Sequence, residues 1–181
     1  ATIAFLEAPK VSSQEALEDG IMVKWQAVQG ATGYTVYRMH TDSEAKEWVE
    51  VASLNETLTY FKDTSAEGGN YKYGVAATIG KSQSPMGEAA STVYLIKAPQ
   101  NVSIYNVMDG MKLTWDSVSN ASFYIVERIE NETGEIKRVA DVTSTTYTDK
   151  SVKAFSKYSY RVNSVDNVKG WKSLRTAFSN D

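Results

Sequence analysis

The chain has 181 residues, a formal net charge of −3, and 42% hydrophobic against 23% charged residues, a balance that suits globular domains with modest cores. It contains no cysteine, which excludes a disulfide framework, a thiolate zinc site and a cysteine nucleophile. No Lys/Arg run exceeds two and no apolar run approaches the ~18 residues of a membrane helix, so neither nucleic-acid binding nor membrane insertion is expected.

One stretch occurs twice and divides the chain. Gly20 to Arg38 and Gly110 to Arg128 each carry an alternating run ending in Trp (Trp25, Trp115). A Val follows three residues later, and Tyr-x-Val-x-Arg nine residues later. A period of this length marks repeated domains. The segment 1–9 (ATIAFLEAP) also matches 91–99 (STVYLIKAP). The expected organisation is therefore a first domain over 8–97 and a second over 98–181. The segment 1–7 is then either the end strand of a preceding repeat or an N-terminal extension, and the chain reads as an excerpt from a longer array.

In chain order, Pro9 and Pro99 open the two domains, as suits edge strands that need no central ladder donor. Ile21, Val23 and Trp25, and likewise Met111, Leu113 and Trp115, alternate with Met22 and Lys24, and with Lys112 and Thr114. Period two with one apolar face is a half-buried strand. Residues 30–33 and 119–122 are turns of small and polar residues. Tyr34 and Val36, and Tyr124 and Val126, then share a strand face. Polar stretches follow at 40–46 and 130–135, with short strands at 48–52 and 136–140. Leu58-Thr-Tyr-Phe61 with Asp63 answers Thr145-Thr-Tyr147 with Asp149. The strongest strands hold Tyr71, Tyr73 and Val75, and Tyr158, Tyr160 and Val162. Last come 87–96 and 171–178. No segment has a helical period, so the expected fold is all-β, with seven short strands per domain in a β-sandwich.

These features together resemble the fibronectin type III family, over nearly the whole chain: the opening Pro, the strand ending in Trp, Tyr-x-Val, and the late Tyr-x-Tyr-x-Val. The resemblance implies two immunoglobulin-like seven-stranded sandwiches in tandem, an extracellular or cell-surface setting, and a spacer or adhesive role of the kind seen in bacterial secreted and surface proteins. It places Trp25 and Trp115 between the sheets, and Tyr71 and Tyr158 at tyrosine corners. Val152 stands where the family has an apolar residue six before that Tyr. The first domain has Ser65 there and no apolar anchor in 67–70, which predicts a differently registered corner.

The chemistry-bearing residues are few. His40, the one histidine, reads as a solvated loop residue. Glu44, Glu47 and Glu50 read as a charged edge that deters strand pairing. Asp63 and Asp149 recur after the same strand, which favours a turn or hydrogen-bonding role over calcium binding. Trp48 and Trp171 lie outside the repeated core pattern. They are the candidate binding residues, for stacking on a sugar or a protein, against the alternative of packing on a sheet. Sequons stand at Asn55, Asn101, Asn120 and Asn131, and neither Arg-Gly-Asp nor Trp-Ser-x-Trp-Ser occurs. No catalytic residue, metal site or cofactor can be named. The expected partners are adjacent domains of a parent protein, with a polysaccharide or surface protein as the further alternative, and the expected state is a monomer. The short link at 97–100, containing Pro99, predicts domains held end to end with restricted angles.

Overall fold

The computed structural model describes residues 5–167 and the backbone of 171–172. Contacts divide the chain into two units, 1–95 and 96–181. The fold is all-β, with no helix among the described residues.

In the first unit, β1 (Val11–Leu17), β2 (Gly20–Trp25) and β5 (Tyr60–Asp63) form one antiparallel sheet in the order β1-β2-β5. The second sheet runs β4 (Trp48–Asn55), β3 (Gly33–His40), β6 (Gly69–Ile79). Three short pieces pair with β6 along its far side: β7 (Ser82–Gln83), β8 (Gly87–Glu88) and β9 (Val93–Leu95). The second unit repeats the plan. Here β10 (Ser103–Val107), β11 (Gly110–Thr114) and β14 (Thr146–Asp149) face a sheet ordered β13 (Ile136–Val142), β12 (Phe123–Glu130), β15 (Tyr158–Asp166), β16 (Trp171–Lys172). Each ladder carries the same irregularity at the same place, between Val36 and Tyr37 in one unit and between Val126 and Glu127 in the other.

Alternation decides which side chains enter the core. Ile21, Val23 and Trp25 from one sheet meet Tyr34, Val36, Tyr71, Tyr73 and Val75 from the other. Leu113 and Trp115 meet Tyr124, Val126, Tyr158, Tyr160 and Val162 in the same way. The Trp25 and Tyr34 rings pack edge to face with centroids 5.4 Å apart, and Trp115 and Tyr124 do so at 5.5 Å, a geometry that favours the ring quadrupoles. The tyrosine hydroxyls then accept hydrogen bonds from the amides of Val28 and Val118, each at 2.9 Å. This ties the turn between the second and third strands to the core. The same turn needs a left-handed residue, which is Gly30 (φ 82°) in one unit and Asn120 (φ 66°) in the other, the two residue types that enter that region most readily.

The N-terminal segment is not idle. Leu6 is buried in the core of the first unit. A Cβ on Gly87 would stand 1.7 Å from the Pro9 carbonyl oxygen, so the segment and β8 approach as closely as only glycine allows.

The indole nitrogens of Trp25 and Trp115 are buried without a hydrogen-bond partner, so the rings contribute area and shape rather than a polar tie. Trp25→Ala should cost the first unit about 3–5 kcal/mol, while Trp25→Phe, which loses no hydrogen bond, should cost distinctly less. Gly87→Ala should destabilise by about 1–3 kcal/mol. Urea unfolding of the three variants checks the ranking. An alanine variant at Trp25 that unfolds with wild type would remove that residue from the core.

Candidate binding surface

Arg38 and Arg128 lie on the inward face of β3 and β12, two residues beyond Val36 and Val126. A charge on an apolar face must be paired. Arg38 Nη1 lies 2.8 Å from Asp63 Oδ2, and Arg128 Nη1 lies 2.8 Å from Asp149 Oδ2. Each carboxylate receives three further hydrogen bonds. Tyr73 donates to Asp63 at 2.7 Å, and Tyr160 to Asp149 at 3.0 Å. The amide and hydroxyl of Ser65 donate to Asp63, and those of Ser151 to Asp149, at 2.6–2.9 Å. The guanidinium groups sit over the rings of Tyr71 and Tyr158, 5.4 and 4.7 Å from the centroids. The aspartates are 1% and 0% exposed, while Arg38 is 21% and Arg128 only 4% exposed. Burial alone would raise the Asp63 carboxyl. The hydrogen bonds from Ser65 and Tyr73 and the Arg38 charge outweigh it, and hold the group below its ordinary value. Asp149 shows the same balance through Ser151, Arg128 and Tyr160. Desolvation, with the neighbouring carboxylate, pushes both Tyr73 and Tyr160 well above the ordinary phenol range. The aspartates of both clusters direct their hydrogen-bonding capacity inward, while Arg38 still reaches water.

The corner tyrosines close each cluster. The Tyr158 hydroxyl accepts from the Lys153 amide at 3.1 Å, and the Tyr71 hydroxyl from the Glu67 amide. The corner of the first unit does have an apolar anchor, Ala66, which is fully buried and lies five residues before Tyr71. Position 66 falls between the two places the sequence pattern singles out, Ser65 and residues 67–70. His40 is likewise not a loop residue. It ends β3, is half-buried, and stacks on Tyr71 at 4.7 Å and 24°.

The expected binding residues lie one in each unit. Trp48 starts β4 and is half-buried. Trp171 lies in β16, and its side chain falls outside the described residues. Glu44, Glu47 and Glu50 are exposed, and Glu50 accepts a hydrogen bond from Ser53 at 3.0 Å. Among the described residues, no group of three His, Asp or Glu side chains is placed to hold a metal.

No family model matches the chain. Among solved structures, the chicken interferon gamma receptor alpha chain aligns over 98% of this chain and 97% of its own, at 13% identity with a TM-score of 0.55. That likeness is one of fold, and it runs through both units. The chain is a tandem of two fibronectin type III-like domains. A two-domain fibronectin type III segment of chicken tenascin aligns over 98% of this chain and 100% of its own, at 15% identity and a TM-score of 0.48. An Fn3-like protein from Clostridium thermocellum shares 32% identity over 46% of this chain and 88% of its own, at a TM-score of 0.41.

The buried pairs of the two fibronectin type III-like domains make distinct predictions. Asp149→Ala leaves a nearly inaccessible Arg128 with only its longer, 3.5 Å contact to Glu130 and should cost the second domain about 3–5 kcal/mol. Asp63→Ala should cost the first domain less, because Arg38 reaches water. The double variant Arg128→Met/Asp149→Leu should recover most of the loss. Native-state hydrogen exchange reads each domain separately. Equal losses in the two domains would contradict the burial argument. A second test uses pH. A depressed carboxyl gives stability that is complete above its unfolded value, ordinarily 3.8, and lost as pH falls toward the folded value. Stability should therefore fall as the pH drops below about 4, and Asp149→Asn should flatten that limb in the second domain. An unchanged acid limb in that variant would refute the assignment.

Proposed function

We propose that this tandem is a non-catalytic spacer and interaction module of a larger extracellular or cell-surface protein, of the bacterial secreted or surface kind, whose work is to hold neighbouring domains at a fixed separation. The observation that supports it is the direction of the repeated chemistry. The buried ionisable residues kept in register in both copies, Arg38 with Asp63 and Arg128 with Asp149, spend their charge inside the sandwich. What is repeated is the frame. The fibronectin type III-like fold supports the same reading at the coarser level, since it is an extracellular interaction or spacer fold. No helix among the described residues is long and apolar enough to cross a membrane. With this reading goes a proposed domain map of 8–97 and 98–181 after a leading segment 1–7, and the tandem is read as a monomer whose partners are its neighbours in the parent chain.

The competing class is a carbohydrate module built on Trp48 or Trp171. Titration of the tandem with soluble and insoluble polysaccharides, followed by tryptophan fluorescence, separates the two. The spacer reading expects no saturable binding across the panel. Saturable binding that disappears in Trp48→Ala or Trp171→Ala would replace it with the carbohydrate reading and name the site.

A further inference from the structure

One end of the second domain breaks the pattern of an inward-facing frame. Met108, at the tip of the β10–β11 hairpin, and Phe155, in the loop between β14 and β15, are both fully exposed. Phe155 holds a left-handed backbone, φ 66°. A bulky side chain enters that region at a cost, and such strain persists only where the surrounding structure fixes it. Its ring is in solvent, so burial does not offset the cost. Between the two tips lies an open groove of roughly 690 Å³, lined by Val107, Met111, Val152, Ala154, Lys153 and Lys157 among others. Its walls mix these apolar side chains with polar ones, Asn106, Asp109 and Ser156 among them, and both lysines are exposed. Lys150, beside it, pairs with Asp109 at 2.5 Å. Three lysines thus face one aspartate, giving two positive charges in excess on a chain whose net charge is −3. The first domain keeps a corresponding pair, Asp19 with Lys62, but not the two apolar tips. Glu18 stands where Met108 does, and the shorter loop 67–70 carries Glu67, Gly68 and Gly69.

We propose that this groove seats an extended protein segment whose bulky apolar side chain enters between Met108 and Phe155 and whose flanking Asp or Glu residues pair with Lys153 and Lys157. Two features favour a peptide: the site is a concave groove of mixed polar and apolar lining flanked by two exposed apolar tips, and its excess charge is complementary to an acidic segment. The inference deepens the interaction half of the proposed function and leaves the spacer half independent. Polysaccharide binding would sink the spacer reading without touching this groove.

The test is selection of a random dodecapeptide library on the intact tandem, with synthetic copies of enriched peptides titrated against variants. Enriched sequences should carry an aromatic or long aliphatic residue flanked by Asp or Glu. Their affinity should fall at least tenfold, equivalent to about 1.4 kcal/mol, in Phe155→Gly, in Met108→Ser and in Lys153→Glu/Lys157→Glu. Phe155→Gly is the decisive variant. Glycine adopts φ 66° freely, so its melting temperature should be no lower than wild type, and lost binding is then not lost folding. No enrichment, enrichment without acidic residues, or affinity unchanged in these variants would overturn the proposal. So would co-sedimentation with phosphatidylserine vesicles that Phe155→Gly abolishes, since the tips would then belong to a lipid surface.

Discussion

Each sandwich depends on one strand that fixes both ends of its core. In β3, Tyr34, Val36 and Arg38 share the inward face, as Tyr124, Val126 and Arg128 do in β12. At one end the tyrosine packs edge to face on the tryptophan of the opposite sheet. At the other, the arginine reaches the aspartate that ends β5 or β14, again in the opposite sheet. The first contact is apolar and tolerant of small shifts. The second is ionic, buried and directional. A slip of one residue in β3 would turn Arg38 to solvent and leave Asp63 buried without its cation. The ion pair therefore sets register as much as it adds stability, which is the use for which buried polar groups are best suited.

The pair also organises its surroundings. The aspartate captures the amide and hydroxyl of the serine two residues on, which turns the chain out of the strand as an Asx turn. The crossover then meets the corner tyrosine, whose ring lies under the same guanidinium. Strand, turn, crossover and corner are thus referred to a single charged centre. In the first domain His40 adds a stacked ring on Tyr71, and Gly69 is small enough to leave that ring room, since a Cβ there would stand 2.4 Å from His40 Nε2. In the second domain Glu130 occupies the position of His40, and the corner closes without a second ring.

Period-two alternation, repeated 90 residues apart, was enough to read the β-sandwich, the tandem and the aromatic core from sequence, because each rests on local patterning in which both copies agree. The ion pair was legible in part. Tyr-x-Val-x-Arg places the arginine on the apolar face in both copies, and an aspartate follows the same strand in both, but their contact joins residues 25 and 21 positions apart and so depends on the sheets having already packed. Ala66 and His40 were missed for a different reason. Each is a residue whose role is set by a neighbour, Ala66 by the space left at the corner and His40 by the ring of Tyr71. Composition carries no mark of either. The exposed tips at Met108 and Phe155 were invisible because exposure is a property of the loop path.

That path follows from a difference of one residue. The amides of Glu67 and Lys153 hold equivalent places, each four beyond its aspartate and each bonded to its corner tyrosine. From there the first domain has three residues, 68–70, before Tyr71, and the second has four, 154–157, before Tyr158. Both ends of the segment are pinned, so the additional residue has no route inward, where Tyr158 already fills the corner. It is accommodated by a left-handed turn at Phe155 that sends the side chain out beside the hairpin tip. In this reading the rigidity of the charged cluster is what makes the loop expressive: a corner free to relax would absorb the extra residue, and a fixed one must display it.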